Sequence, residues 1–352
     1  MKIVFFTKYT YAGASSRYRV YQYLDYFTKS GFKVSVKPFF SDDYVHRLYH
    51  HKAVSPFFLA TRYLSRIWSV LQLQRGTFIY IEYELLPYFP AWFEAYLNWR
   101  RFDFVVDYDD AIFHNYDWNG SPLIKFLFKS KILKVIKRAA KVITGSEYLT
   151  RFALTYNKNV FEIPTSVEFY KYQTVASLPK SNIFTIGWIG TPSSGKNVLE
   201  ILPAIQRFLS QYPSQLVLIG FEQSLSYIFN GLNVVIKDWK DETEIGLMKT
   251  FDVGIMPLND TPFNRGKCGF KLIQYMACGI PTIFSPLVAN VNINRNNLNL
   301  AADTRDDWFN CLVQVYEQQT YFTEVVGNDN KLLVKDFYST EANSEKLISV
   351  FK

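Results

Sequence analysis

The feature that most constrains this chain is an alternation, run through twice, of short apolar stretches of strand length with longer stretches of helical spacing. Lys2-Ile-Val-Phe-Phe-Thr7 reads as a strand, Arg17 to Ser30 carries Tyr, Val and Leu at helical intervals, and Phe32-Lys-Val-Ser-Val36 alternates as a second strand. A helical region from Pro56 to Gln74, a strand from Thr77 to Glu82, a helix near Trp92 to Trp99 and a strand from Phe102 to Asp107 follow, and Val142-Ile-Thr144 and Val160 to Ile163 add two more strands. Between Pro164 and Asn182 the periodicity lapses, and Pro179, Lys180 and Ser181 mark a connection. A second series then begins at Phe184-Thr-Ile-Gly-Trp-Ile-Gly190. Its helices are expected at Leu199 to Tyr212, Glu242 to Thr250 and Lys271 to Ala277, and its strands at Gln215 to Ile219, Asn233 to Ile236, Val253 to Met256 and Pro281 to Phe284. Such alternation predicts parallel sheets with helices on both faces. A chain of 352 residues has room for two such domains of roughly 150 residues each. The expectation is α/β, two consecutive doubly wound Rossmann-like domains with a ligand cleft between them.

Charge separates the two series. Residues 1–180 hold 25 Lys+Arg against 14 Asp+Glu, a balance of +11, and the remainder holds 14 against 17, a balance of −3. The densest basic stretch is Lys125 to Lys141, in which Lys125, Lys129, Lys131, Lys134, Lys137, Arg138 and Lys141 are interleaved with Leu127, Phe128, Ile132, Leu133 and Ile136 and no acidic residue intervenes. As one basic amphipathic helix it suits an anionic membrane surface, and it equally suits a solvated helix packed on its own domain. No apolar run reaches the roughly 18 residues that span a bilayer, and Met1 to Thr10 has no signal-peptide pattern, so a cytoplasmic protein, peripheral on the inner membrane face, is expected. Cys268, Cys278 and Cys311 lack metal-ligand spacing and imply neither a zinc site nor a disulfide framework. Nucleic-acid binding is not expected, because no recognised module or basic groove with interleaved aromatics is present.

The most informative stretch is Asn264-Arg-Gly-Lys-Cys-Gly-Phe-Lys-Leu-Ile-Gln-Tyr-Met-Ala-Cys-Gly-Ile-Pro281, a glycine-bearing polar loop that runs into a helix stopped by Gly279. A helix N-terminus offers N–H groups and positive potential, Gly266 and Gly269 allow close backbone approach to an anion, and Lys267 and Lys271 add full charges. Lys271 and Gln274, three apart, share a helix face, so one can hold a phosphate while the other bonds a hydroxyl.

The run Phe270 to Pro281 resembles the donor-binding motif of GT-B glycosyltransferases, especially bacterial members of or near glycosyltransferase family 4. Gly187-Trp-Ile-Gly-Thr191 and Asp252-Val-Gly-Ile-Met-Pro-Leu258 resemble two further donor-domain segments in the right order. Gly13-Ala-Ser-Ser-Arg-Tyr-Arg19, Asp107-Tyr-Asp-Asp-Ala-Ile-Phe113 and Gly145-Ser146 have the look of the acceptor half, so the likeness covers most of the chain. It implies a GT-B fold: an acceptor-binding domain at 1–175 completed by a C-terminal helix at about 338–352, where Phe337-Tyr-Ser339 resembles the family's crossing back, and a nucleotide-sugar domain at 176–337. It implies that Lys271 contacts the donor diphosphate, that Gly269 and Phe270 offer backbone beside it, that Gln274 holds the ribose, and that Gly190 and Thr191 close the same pocket. Family 4 enzymes carry two glutamates eight positions apart where this chain has Gly266 and Gln274. The Lys-x-x-Gln form resembles bacterial exopolysaccharide glucuronosyltransferases, whose stereochemical outcome differs, so retention and inversion both stay open.

The base is expected against Lys237, Asp238 and Trp239, which follow a strand end, where open α/β sheets bind ligands. In the first domain Asp109 or Asp110 is expected to face the acceptor hydroxyl, one serving as general base if the enzyme inverts; both also suit a capping role. His114 is expected near the sugar ring, or as a packed core histidine. Arg17, Arg19 and Glu84 are expected on the acceptor side, the two arginines binding acceptor phosphates or ion-pairing with Glu82 or Glu84. Asp107, Asp109 and Asp110 include an Asp-x-Asp, but a two-domain chain with its anion site near residue 270 argues against metal use. The reading is transfer of a sugar from a UDP- or GDP-sugar to a glycan or lipid-linked acceptor in surface polysaccharide assembly, with no cofactor and no required metal. A non-hydrolysing nucleotide-sugar epimerase shares the double fold, and a basic polysaccharide- or nucleic-acid-binding protein is the non-enzymatic alternative.

Overall fold

The computed structural model describes residues 1–49 and 54–352. Its chain divides into two compact units, Met1–Ser166 with Arg265–Cys268 and Asn343–Lys352, and Val167–Asn264 with Gly269–Ala342. The first crossing falls at Ser166 rather than near 175. Helix Phe169–Thr174 is held to the second unit by the bond from Gln274 Nε2 to Tyr172 Oη (3.1 Å) and from Gln173 Nε2 to the Ala277 carbonyl (2.8 Å). The return falls at Asn343, whose Nδ2 donates to Ser166 Oγ at 3.1 Å.

The first unit is a parallel sheet of β1 (Lys2–Thr7), β2 (Lys33–Pro38), β3 (Thr77–Glu82), β4 (Phe104–Tyr108), β5 (Lys141–Thr144) and β6 (Val160–Glu162), in the order β2-β1-β3-β4-β5-β6. Alternate residues supply the two faces. Val4, Phe6, Ile79, Ile81, Phe104, Val106 and Val142 enter one core, while Ile3, Phe5, Tyr80, Val105 and Ile143 enter the other. Strands covered on both faces are apolar throughout, which is why β1 reads as an unbroken apolar run. The last residues close the second of these cores: Leu347, Ile348, Val350 and Phe351 are buried in it, with the Phe351 ring 5.5 Å from that of Phe27.

The second unit repeats the construction with β7 (Phe184–Ile189), β8 (Ser214–Ile219), β9 (Val234–Lys237), β10 (Val253–Met256), β11 (Thr282–Phe284) and β12 (Leu300–Ala301), all parallel, in the order β12-β11-β10-β7-β8-β9. The strand order reverses between β7 and β10, the switch point at which such sheets open a crevice at their carboxyl ends. β7 pairs with β8 over six residues, but with β10 only through Ile186–Val253 and Gly187–Gly254. Beyond those pairs the strands part, and Tyr275 fills the split. Its hydroxyl accepts the Ile189 N–H (2.9 Å) and donates to the Ile255 carbonyl (3.3 Å), replacing ladder bonds the divergence removes. A Cβ on Gly254 would stand 2.5 Å from the Tyr275 ring, and one on Gly187 1.9 Å from the Phe251 ring, so both strands need glycine here.

Two helical expectations change. Arg17 to Ser30 is broken into a helix at Ala14–Arg19, a 3-10 turn at Tyr21–Tyr23 and a helix at Leu24–Lys29. The basic stretch Lys125 to Lys141 is not one helix: Pro122–Phe128 and Lys131–Arg138 are separate, and Lys141 opens β5. Lys131 points inward, its Nζ paired with Glu84 and the Leu86 carbonyl. The short β12 had no alternation to announce it. No helix among the described residues is long and apolar enough to cross a membrane.

Removing the Tyr275 hydroxyl strands a buried donor and a buried acceptor. Tyr275→Phe is therefore expected to lower unfolding stability by about 1–3 kcal/mol, read by urea denaturation; an unchanged midpoint would mean that the split is held open without it.

Candidate active site

In the second unit the loops that follow β7 and β8 meet at the carboxyl edge of the sheet, where Gly220 closes on Gly190. Helix Phe270–Ala277 begins at Gly269, whose φ of +63° lies in the left-handed region that favours glycine. A Cβ there would also meet Ile293 at 2.2 Å and Asn290 Oδ1 at 3.1 Å. Lys271, on the first turn, lies with its Nζ 5.8 Å from the centre of the buried Trp188 ring on β7. The same ring lies where a Cβ on Gly190 would fall, at 2.3 Å, so Lys271 and Gly190 flank one side chain. Gly220, φ +74°, closes tightly on Gly190, since a Cβ on it would lie 2.3 Å from the Gly190 carbonyl oxygen and 3.3 Å from Trp239 Cβ. Gly190, Lys271, Gly269 and Trp239 are thus gathered at the carboxyl edge of the sheet.

Details differ from expectation. The Gly190 N–H continues the ladder to the Ile219 carbonyl (3.0 Å), and the Thr191 N–H is taken by Ser194 Oγ (3.0 Å) in a capping box, so neither points an N–H at a ligand. Gln274 is buried and bonded to Tyr172. Lys237 is the exposed last residue of β9, and the Trp239 indole N–H donates to Glu244 Oε2 at 2.6 Å. Phe270 is half-buried in the adjoining core.

Lys267 lies in the first unit, not with Gly269. Its Nζ is 2.9 Å from Asp110 Oδ1. Burial works against its charge, but the Asp110 and Asp109 carboxyls outweigh that and hold the ammonium above its ordinary range. Cys268 donates its thiol to the Asp109 carbonyl and sits where a Cβ on Gly145 would fall, at 2.5 Å. Gly266 presses on Ala111 in the same way, at 2.3 Å, so this glycine serves protein packing and not the approach to an anion anticipated for it.

Around this segment the carboxyl ends of β3 and β4 carry a buried polar cluster. Arg19 forms a fork with Asp107, Nε to Oδ2 at 2.9 Å and Nη2 to Oδ1 at 2.7 Å, and its Nη1 reaches the Ile163 carbonyl at 2.8 Å. Tyr80 also donates to Asp107. The expected partners Glu82 and Glu84 are engaged elsewhere: Glu82 Oε2 accepts Ser16 Oγ (2.6 Å) and the Lys8 N–H (2.9 Å), and Glu84 accepts Tyr116 Oη and Lys131. Arg17 is buried with its guanidinium 4.9 Å from the Tyr18 ring centre. Both His114 ring nitrogens are bonded, Nδ1 to Asp117 (2.9 Å) and Nε2 to Tyr148 Oη (3.0 Å). Asp109 receives the Tyr83 hydroxyl, and burial, followed by the neighbouring Asp110 carboxylate, pushes its carboxyl up to about 7. Among the described residues no group of three or more His, Cys, Asp or Glu is placed to hold a metal ion.

Comparison with known proteins bears on both units. Residues 182–318, which lie in the second unit apart from Arg265–Cys268, match the family model described as Glycosyl transferases group 1. By shape the chain resembles a glycosyltransferase from Rickettsia africae (TM-score 0.73, 14% identity, covering 100% of this chain and 97% of that one). It also resembles Anabaena HepE in complex with UDP-glucose (TM-score 0.73, 13% identity, 100% and 99% covered). A third likeness is to an E. coli trehalose-6-phosphate structure bound with UDP-2-fluoro glucose (TM-score 0.69, 11% identity, 99% and 98% covered). No curated protein matches by sequence. The fold is that of the GT-B glycosyltransferases.

Three residues went unremarked in the sequence. Tyr83, at φ +65°, is a strained non-glycine that aims its hydroxyl at Asp109, and nothing in sequence sets it apart from 24 other tyrosines. Asn290 is buried beside Gly269; its Nδ2 donates to the Ser285 carbonyl (2.9 Å), which fixes its Oδ1 as an acceptor without a hydrogen-bond partner among the described residues. Tyr275 is the third. Its place in the helix that follows the loop was legible, but its role was not.

The Asp109 carboxyl carries a signature in stability. The group is protonated in the folded chain up to about pH 7 but ionises from about 3.8 when unfolded. Its contribution is therefore complete below that lower value and is lost as pH rises through the window. Asp109→Asn should gain stability on the wild type between pH 4 and 7, as read by denaturant midpoints; parallel pH profiles would contradict it.

Proposed function

We propose that this chain is a glycosyltransferase that moves a sugar from a UDP- or GDP-linked donor, held by the second unit, to a glycan or lipid-linked acceptor bound by the first, at the cytoplasmic face of a membrane and in the assembly of a surface polysaccharide. The observation that carries the reading is the placement of Lys271. It stands on the first turn of an uncapped helix, at the switch-point crevice, next to the tight β7 turn at Gly190. A nucleoside diphosphate gains negative charge as it leaves, and a fixed ammonium with a helix N-terminus stabilises that charge where it grows. That supplies the main demand of sugar transfer without a metal or other cofactor. The UDP and UDP-sugar complexes of the similar structures support a uridine nucleotide first, with GDP kept as the other candidate.

Within the reading, Gly190, Thr191, Gly269, Phe270 and Lys271 surround the diphosphate, Gln274 takes the ribose, and Lys237 and Trp239 border the base. Lys267 acts from the first unit by holding Asp110. Asp109, ionising near neutrality, has the proton affinity of a general base for an acceptor hydroxyl, with Asp110 beside it. His114 is set by Asp117 and Tyr148 to face the sugar, and Arg17, Arg19 and Glu84 shape the acceptor side, Arg19 through its fork to Asp107.

Calorimetry with UDP and GDP in metal-free buffer tests the donor half. One nucleotide should bind, and Lys271→Ala should weaken it by about 2 kcal/mol, the scale of a charged hydrogen bond. If neither binds, or the variant binds as well as the wild type, the Gly269 loop is not the donor site.

A further inference from the structure

We propose that the first unit carries a docking site for the phosphate of an anionic phospholipid, in the open cleft between helix Trp92–Trp99 and helix Lys131–Arg138. The inference deepens the membrane-face location proposed above and rests on it, but not on the donor site. The two helices pack together, and the cleft between them, about 590 Å³, is lined by Asn98, Lys134, Lys137 and Arg138. No carboxylate lines it. None of its three cations has a carboxylate partner among the described residues, unlike Lys131 one turn earlier, which is buried against Glu84. Asn98 Nδ2 donates to the Arg138 carbonyl (3.2 Å), and Arg138 Nη1 folds back to the Lys134 carbonyl (3.2 Å), so amide and guanidinium are held in place at the cleft. Three positive charges, the Arg138 guanidinium held in place and the Lys134 and Lys137 ammonium groups exposed, with an amide and no counter-charge form the surroundings a phosphate monoanion or diester takes up.

The neighbouring surface chooses between a free phosphate and a lipid. Trp99, next to Asn98, is 76% exposed. The helix just before Lys131, Pro122–Phe128, buries none of its residues and presents Leu123, Phe126 (78% exposed) and Leu127 beside Lys125 and Lys129. Water-exposed tryptophan and aliphatic side chains adjoining cations gain by entering the headgroup boundary, where the rings find apolar contact and the ammonium groups find phosphate. A soluble phosphate ligand leaves that apolar surface unexplained.

The test is co-sedimentation of the full chain with vesicles of phosphatidylcholine, with and without phosphatidylglycerol. Binding should require the anionic lipid. The double variant Lys134→Gln, Lys137→Gln should bind about thirtyfold more weakly, about fivefold per charge. The control Lys125→Gln, Lys129→Gln removes equal charge outside the cleft and should lose markedly less, and Trp99→Ala should weaken binding with every charge intact. Unchanged thermal melting shows each variant folded. Equal losses in the two double variants would reduce the effect to diffuse attraction and overturn the cleft. Release from vesicles by millimolar inorganic phosphate would assign the cleft to the free ion. If the wild type ignores anionic vesicles, cleft and membrane location fall together, while nucleotide calorimetry still judges the donor site.

Discussion

The switch point of the second unit depends on a single exchange of hydrogen bonds. A parallel sheet resists opening because each parted residue leaves a buried N–H or carbonyl without a partner, at a cost of about 1–3 kcal/mol per group. Here β7 and β10 part after two residue pairs, and one phenol satisfies both orphaned groups. Tyr275 belongs to the helix whose first turn carries Lys271, so the wedge that opens the sheet also fixes the azimuth of the lysine. Gly187 and Gly254 are the complementary requirement, since side chains there would occupy the space of Phe251 and of the wedge itself.

The first unit solves a different problem. Its carboxyl edge concentrates Glu82, Glu84, Asp107, Asp109 and Asp110, a density of acid that burial makes expensive. The fold answers with dedicated cations and phenols: Arg19 for Asp107, Lys131 for Glu84, Lys267 for Asp110, and Tyr83 for Asp109. Breaking the fully buried Arg19–Asp107 pair by removing one member costs about 3–5 kcal/mol, far more than a surface pair is worth. Asp109 has only a neutral hydroxyl in place of a cation, and burial pushes its carboxyl up to about 7.

Much of this was legible in the sequence, for physical reasons. Strands covered on both faces must be continuously apolar, so eleven of the twelve strands showed in the alternation; β12, two residues long, could not. The loop and helix around Lys271 were legible because glycine, lysine and helical spacing coincide there. Partner choice was not. Arg19 was read as reaching for a substrate, but which of five neighbouring carboxyls it meets depends on the order of strands, which no local pattern encodes. The single basic helix at Lys125 to Lys141 misled for a similar reason: charge interleaved with apolar residues persists through a break at Lys129-Ser130 and into a strand.

Residues Arg265–Cys268 belong to the first unit although they interrupt the second in sequence, and Asn343–Lys352 return to the first after the second is complete. Neither unit is therefore a contiguous stretch of polypeptide. On a ribosome, the first sheet emerges early but waits for Phe351 to fill the pocket beside Phe27, and for Cys268 to seat beside Gly145. Neither half can reach its final packing before the other has been synthesised, so maturation is coupled by chain order, and proteolysis or splitting at the segment around Pro179 would separate neither unit intact.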